Sequence, residues 1–144
     1  MPENVMDPGT GAEQSKQTSI LVVEDDVFLR NLLIKKLMNE NYTIWDAVDG
    51  ASALKTLETK KPHLVLLDLL LPGVDGFEVL TRLKKNSELA QVPVIVLSNL
   101  GSQDDITRAM GLGAADYIIK ANFTLEEIVE RVKKILNEQY FNLR

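Results

Sequence analysis

Asp68 interrupts an apolar run, LVLLDLLL at residues 64–71, which Pro72 and Gly73 close. A carboxylate in such a run is costly to bury unless it is hydrogen-bonded, ion-paired or metal-bound. More acids, Glu24-Asp25-Asp26, follow the apolar segment SILVV at 19–23. Ser98 ends VPVIVLS at 92–98, and Lys120 ends ADYIIK at 115–120. Singly, each has a bland explanation: Asp25 or Asp26 as a helix cap, Ser98 as a turn residue, Lys120 as a solvated strand end. None of these explains the second acid, Asp68. Brought together, the set makes a phosphoryl-transfer site. Asp68 would be the nucleophile, Ser98 a hydroxyl donor and Lys120 a point cation for a phosphoryl oxygen. Carboxylates at ~4 Å and an effective dielectric of about 20 repel by about 4 kcal/mol per pair. They stay ionised only beside a cation. Oxygen ligands, few and without a dedicated cage, suit Mg²⁺ completed by water and phosphate.

A parallel α/β sheet would bring these residues together. Apolar segments of strand length alternate with helical periods across short connections. Strands are predicted at Ser19–Glu24, Tyr42–Ala47, His63–Asp68, Val94–Ser98 and Asp116–Lys120. Helices are predicted at about 26–40, 49–59, 76–86, 103–112 and 124–140. In the first, Leu29, Leu32, Leu33 and Leu37 recur on a helical period; in the last, Ile128, Val132, Ile135 and Leu136 do. Thr124 with Glu127 reads as a capping box. Right-handed crossovers then give a doubly wound, flavodoxin-like (βα)5 fold with five parallel strands in the order 2-1-3-4-5. Ligands of such sheets bind at the carboxyl ends of the strands, where strands one and three are neighbours. Glu24, Asp25, Asp26 and Asp68 fall there.

The bulk properties agree. The chain has 144 residues, enough for one domain and too few for two. Its net charge of −5 argues against direct, sequence-independent nucleic-acid binding. It has no cysteine, which excludes disulfides, thiolate metal sites and cysteine nucleophiles. No apolar stretch approaches the ~20 residues of a membrane span. A cytoplasmic location is expected, with no membrane association. Residues 1–18 are polar, aperiodic and rich in Gly and Pro, and are expected to form a disordered leader ahead of a domain at 19–141.

From Ser19 to about Leu136 the chain resembles the receiver domain of bacterial two-component response regulators. The resemblance rests on ILVVEDD at 20–26, LVLLDLLLPGVDGFEVL at 64–80, VPVIVLSNL at 92–100 and GAADYIIKA at 113–121. It implies that Asp68 accepts a phosphoryl group from a histidine kinase or phosphotransfer protein. It implies that Glu24, Asp25 and Asp68 hold Mg²⁺, with the Leu70 carbonyl as a further ligand. Ser98 would be the switch hydroxyl, Tyr117 the switch aromatic that turns inward, and Lys120 the phosphate contact. Output would pass to a partner protein through the face of helix four, strand five and helix five. Receivers often dimerise through that face when phosphorylated. Such a protein is a signalling phosphoacceptor rather than an enzyme.

Some positions depart from the family. Ala121 follows Lys120 where Pro is usual, and a cis bond before Ala would cost about 3–4 kcal/mol, so a trans bond is expected. Asn99 stands where a small residue is usual. Leu70 and Leu100 are apolar at flanking positions, which predicts a shielded, long-lived phosphoaspartate. A phosphorylation-independent interaction module is the alternative reading. A phosphatase of the haloacid dehalogenase type is disfavoured, because Leu70 occupies the position of that family's second Asp. Partial dinucleotide fingerprints at 9–14 and 111–116 lack the strand–helix setting they need. His63 and Trp45 are expected to be structural, Lys84-Lys85 and Lys133-Lys134 to mark solvated helix faces, and Tyr140-Phe141 to cap the core beneath the last helix in preference to forming a dimer contact.

Overall fold

The computed structural model describes residues 18–141. Five strands, β1 (Ser19–Val23), β2 (Thr43–Ala47), β3 (Leu64–Leu67), β4 (Val94–Ser98) and β5 (Asp116–Ile119), form one sheet in the order β2-β1-β3-β4-β5. Every pairing is parallel. Five α-helices alternate with them: α1 (Val27–Met38), α2 (Gly50–Thr59), α3 (Gly76–Lys85), α4 (Gln103–Gly111) and α5 (Leu125–Leu136). The predicted fold and strand order are therefore observed. The expected leader lies outside the described residues except for Thr18, which is buried and whose carbonyl accepts the Thr43 N–H.

The core has two layers, because alternate residues of a strand face opposite sides of the sheet. Leu21, Val23, Val65, Leu67, Val94 and Val96 pack with Ala53, Leu57, Leu80, Leu83 and Ala109 of α2, α3 and α4. Ile20, Val22, Leu64, Leu66, Ile95, Leu97 and Ile118 pack with Leu33, Leu37, Ile128, Val132 and Leu136 of α1 and α5. Being covered on both faces, β1, β3 and β4 can be continuously apolar.

Side chains end the strands and start the helices. Asp26, Asp49, Asp75, Ser102 and Thr124 are the N-caps, each accepting a backbone N–H of the first turn. The capping box of Thr124 with Glu127 is present. Helix α4 ends at Gly111, and Gly113 turns the chain with φ +109.

Some boundaries and roles differ from expectation. Strand β5 stops at Ile119, and Lys120–Asn122 form a 3-10 turn. Helix α5 stops at Leu136 and widens into a π turn at Asn137–Phe141. Tyr140 and Phe141 are 37% exposed, so they are not core residues. Instead the Tyr140 hydroxyl donates to the His63 carbonyl at 2.7 Å, and its ring meets the His63 ring edge-on. Lys84 is not simply solvated: it is half-buried, and its ammonium donates to the carbonyls of Ala90 and Val92 at 3.0 and 2.8 Å. These are carbonyls of the connection beyond α3, which the α3 side chain reaches back to cap. No cis peptide occurs among the described residues, so the Lys120-Ala121 bond is trans, as expected.

Candidate functional site

Register places the acids side by side. Val23 of β1 pairs with Leu67 of β3, so Glu24 and Asp68 leave adjacent strands at the same level. The chain stays pinned there: the Asp68 N–H donates to Val23 O and the Glu24 N–H to Ala47 O, both at 3.1 Å. Glu24 and Asp68 are buried, with 2% and 4% exposure, while Asp25 is exposed. One carboxylate oxygen from each of Glu24, Asp25 and Asp68 falls within a 4.8 Å cluster.

Lys120 supplies the opposite charge. Its Nζ lies 2.7 Å from Asp68 Oδ2 and 2.9 Å from Glu24 Oε1. The remaining oxygens are held by the backbone: Leu70 N–H donates to Asp68 Oδ1, and Asp26 N–H donates to Glu24 Oε2, both at 3.0 Å. Burial raises the Glu24 pKa above the ordinary carboxylate value, and the bonds from Lys120 and the Asp26 N–H offset this only in part. Burial works against the Lys120 ammonium, but its bonds to Asp68 and Glu24 prevail and its pKa is raised.

Glycine permits this geometry. The Gly76 N–H donates to Leu69 O, which brings the start of α3 against the end of β3. A Cβ on Gly76 would sit 2.3 Å from the Asp68 carbonyl oxygen and 2.5 Å from Leu69 Cα. Only glycine fits there.

Ser98 and Tyr117 form a second group. Ser98 is fully buried, and its Oγ accepts the Leu100 N–H at 3.3 Å. Among the described residues no hydrogen bond joins it to Asp68 or Lys120. Tyr117 packs against the α2–α4 side of the core and donates its hydroxyl to the Leu100 carbonyl at 2.5 Å. Burial, with Asp105 and Asp68 nearby, raises the phenol pKa. Leu100 is thus tied through its N–H to Ser98 and through its carbonyl to Tyr117. Leu70 is 54% exposed beside the acids, whereas Leu100 leans partly into the core. Asn99 is exposed.

The structure therefore brings together Glu24, Asp25, Asp68 and Lys120, and links Ser98 with Tyr117 one strand away. Sequence reasoning missed Arg30, whose Nη1 donates to the Glu24 carbonyl at 2.9 Å. The only available signal was its place one turn into α1 after the acids.

A sheet of this topology, with a buried aspartate, two further acids and a lysine at its carboxyl edge, defines a receiver. The chain belongs to the response regulator receiver domain family, whose model matches residues 20–133. It is 37% identical over 117 residues to the DNA-binding dual master transcriptional regulator RpaA of Synechocystis, covering 81% of this chain and 48% of that protein. The chain thus spans about half the length of that relative. The crystal structure of the phosphorylated cyanobacterial phytochrome response regulator RcpA superposes with a TM-score of 0.76 at 31% identity, covering 89% of this chain and 97% of that one. The Mn(2+)-bound form of response regulator Rcp1 superposes with a TM-score of 0.73 at 28% identity, covering 89% and 98%. Among the described residues no helix is long and apolar enough to cross a membrane.

Proposed function

We propose that this receiver is a working phosphoacceptor: Asp68 takes a phosphoryl group from a histidine kinase or phosphotransfer protein, and the change is read by a partner protein. The observation that supports this most is the pairing of a buried Asp68 with Lys120 at 2.7 Å inside a three-carboxylate cluster. The donor set is all hard oxygen, which fits Mg²⁺. Glu24, Asp25 and Asp68 would hold it, with the Leu70 carbonyl as a further ligand. When bound, the cation offsets the charge of the carboxylates and of the phosphoryl oxygens. That RcpA is described in a phosphorylated form and Rcp1 with Mn(2+) supports carrying both features to this chain.

The chemistry needs little else. A carboxylate oxygen of Asp68 attacks phosphorus, the P–N bond to the donor imidazole breaks, and its electron pair returns to the ring nitrogen. The product is an acyl phosphate. Lys120 stays beside Asp68 and pairs with a phosphoryl oxygen. Ser98 turns from Leu100 to donate to another, and Tyr117 follows the Leu100 carbonyl. The phosphoryl group binds only one arrangement of these loops well, and so shifts a pre-existing equilibrium. Output passes through the face of α4, β5 and α5, where Phe123, Glu127 and Arg131 help line a shallow cleft of about 500 Å³. The protein turns over no substrate other than its own phosphoryl group.

Intact mass after incubation with Mg²⁺ and phosphoramidate tests this. One phosphoryl adduct is expected, dependent on Mg²⁺ and missing in Asp68→Asn. An unmodified wild type would refute the reading and favour an interaction module independent of phosphorylation.

A further inference from the structure

Arg30 sits on the second turn of α1, yet its side chain is only 11% exposed. It does not reach into solvent as arginines on helix surfaces usually do. The guanidinium instead folds back over the carboxyl edge of the sheet, where Nη1 donates to the Glu24 carbonyl at 2.9 Å. Its Nε lies 3.2 Å from Asp46 Oδ2, an ion pair by distance, but Nε has no aligned hydrogen-bond acceptor. The contact to Asp46 is thus charge attraction, and the well-formed hydrogen bond is the one to Glu24.

That bond completes a clamp on one residue, across the two peptide groups that flank Glu24. The Glu24 N–H is already fixed by Ala47 O at 3.1 Å, and Arg30 fixes the carbonyl of the same residue. The Glu24 side chain therefore leaves a backbone held on both sides, and Asp25 begins at the carbonyl Arg30 holds. A cation that needs Glu24 and Asp25 together depends on the angle between these two residues. Small misplacements of ligating groups are expensive when the ligands are few.

We infer that Arg30 is a positioning residue for the divalent cation site: its bond to the Glu24 carbonyl sets the joint geometry of Glu24 and Asp25, and so the affinity for Mg²⁺. The inference rests on the proposed function, because it assumes that Mg²⁺ binds there. Arg30 contacts the Glu24 carbonyl and Asp46, and none of the carboxylate oxygens of Glu24, Asp25 and Asp68. Its positive charge alone would act the other way, repelling a cation, so the two effects differ in sign.

The test is a Mg²⁺ titration followed by the backbone amide resonances of ¹⁵N-labelled protein, which reports affinity in the folded fraction whatever the global stability. Wild type, Arg30→Lys, Arg30→Met and Asp46→Asn are compared, with melting temperatures in EDTA alongside. Positioning predicts at least about fivefold weaker binding in both Arg30 variants and less than about twofold change in Asp46→Asn. Lysine keeps the charge but not the planar fork, so Arg30→Lys separates geometry from charge. Arg30 variants that melt lower but bind Mg²⁺ as wild type does would reduce Arg30 to a structural clamp and overturn the inference. Tighter binding in Arg30→Met would overturn it in favour of charge repulsion, and an equal loss in Asp46→Asn would overturn it in favour of a route through β2. Wild type that binds no Mg²⁺ would instead overturn the proposed function.

Discussion

Lys120→Met should trade stability for metal affinity. The ammonium contacts two buried carboxylates, at 2.7 and 2.9 Å. At an effective dielectric of about 20 each contact carries roughly 6 kcal/mol of Coulomb attraction before desolvation. Stranding the partners of a buried pair costs about 3–5 kcal/mol. Lys120 retains 17% exposure, so the low end applies. In EDTA at neutral pH a loss of about 3 kcal/mol should lower the melting temperature by about 10 °C. The loss should shrink in acid. Glu24 already has a raised pKa, owing first to burial, and removing Lys120 takes away an influence that lowers it. A folded-state pKa above the unfolded one means that the folded state holds the proton more tightly. Stability from that proton is lost as pH rises through the folded value, so the variant should be relatively stronger near pH 5 than near pH 8. Mg²⁺ should do the reverse of EDTA. Lys120 occupies Glu24 Oε1, and Glu24 is one of the three acids that could hold a cation. A hydrogen bond between charged groups is worth about 1.5–3 kcal/mol net. Removing that competitor should therefore tighten Mg²⁺ binding about 10- to 100-fold. Calorimetric titration with Mg²⁺ and thermal melts at the two pH values measure both effects. Unchanged or weaker Mg²⁺ binding, with a melting temperature indifferent to pH, would refute the view of Lys120 as the internal counterion.

Gly76→Ala places a Cβ 2.3 Å from the Asp68 carbonyl oxygen, where only backbone can yield, so it should cost about 1–3 kcal/mol by urea denaturation and slow phosphorylation by phosphoramidate; a neutral result on both would show that β3 and α3 are not tightly docked. Leu70→Asn should speed loss of the Asp68 phosphoryl group, and adding Leu100→Glu should do little more, since Leu70 is 54% exposed at the site while Leu100 leans into the core. Decay followed by intact mass that is unchanged in both would dismiss the shielding argument. His63 Nδ1 accepts the Ser19 N–H at 3.1 Å, and burial, then Lys61, lowers its pKa below the unfolded value of 6.5. The stability this provides is complete above that value and lost as pH falls through the folded pKa. Melting temperature should thus fall more steeply on acidification in wild type than in His63→Asn, whose Oδ1 can replace Nδ1 as acceptor; parallel curves would exclude His63 as the titrating group.

The order of the sheet was legible because strand and helix periods alternate without a break, and because β1, β3 and β4 are apolar enough to require cover on both faces. Asp68 stood out because an acid inside LVLLDLLL needs a reason. What the sequence could not express was direction. Lys84 and Arg30 both look like solvated helix cations, since charge and helical period are all that a string of residues records. Each instead bends back to a backbone carbonyl: Lys84 to the connection beyond α3, Arg30 to the end of β1. Unpaired carbonyls at element ends create that demand, and a long flexible stem allows it to be met from several positions. Tyr140 failed for a related reason: α5 turns π-helical after Leu136, which re-aims the ring from the core to His63.

Strand parity adds one constraint on the proposed switch. Glu24 and Asp68 follow directly on β1 and β3, in step with Val22 and Leu66, which face α1 and α5. Ser98 and Tyr117 continue the opposite positions, alongside Val96, facing α2–α4. The Ser98 hydroxyl is thus bonded to Leu100 and not to Asp68. In the proposed switch the Ser98 hydroxyl turns toward a phosphoryl group on Asp68, a movement that strains the bond it accepts from the Leu100 N–H. The same movement carries the Leu100 carbonyl, to which Tyr117 is bonded. In the proposed function, hydroxyl and aromatic ring thus move as one unit, because both are fastened to a single peptide segment. Lys120 already contacts Asp68 and can hold the phosphoryl group without leaving it. In the proposed function, capture of the charge by Lys120 and its transmission through Tyr117 then fall to different residues, and a variant can lose one without the other. Tyr117→Phe removes only the tether to Leu100, so it should keep phosphorylation by phosphoramidate near the wild-type rate while weakening the change in α4 resonances that follows. If phosphorylation itself failed in that variant, the two steps would not be separable and the parity argument would fall.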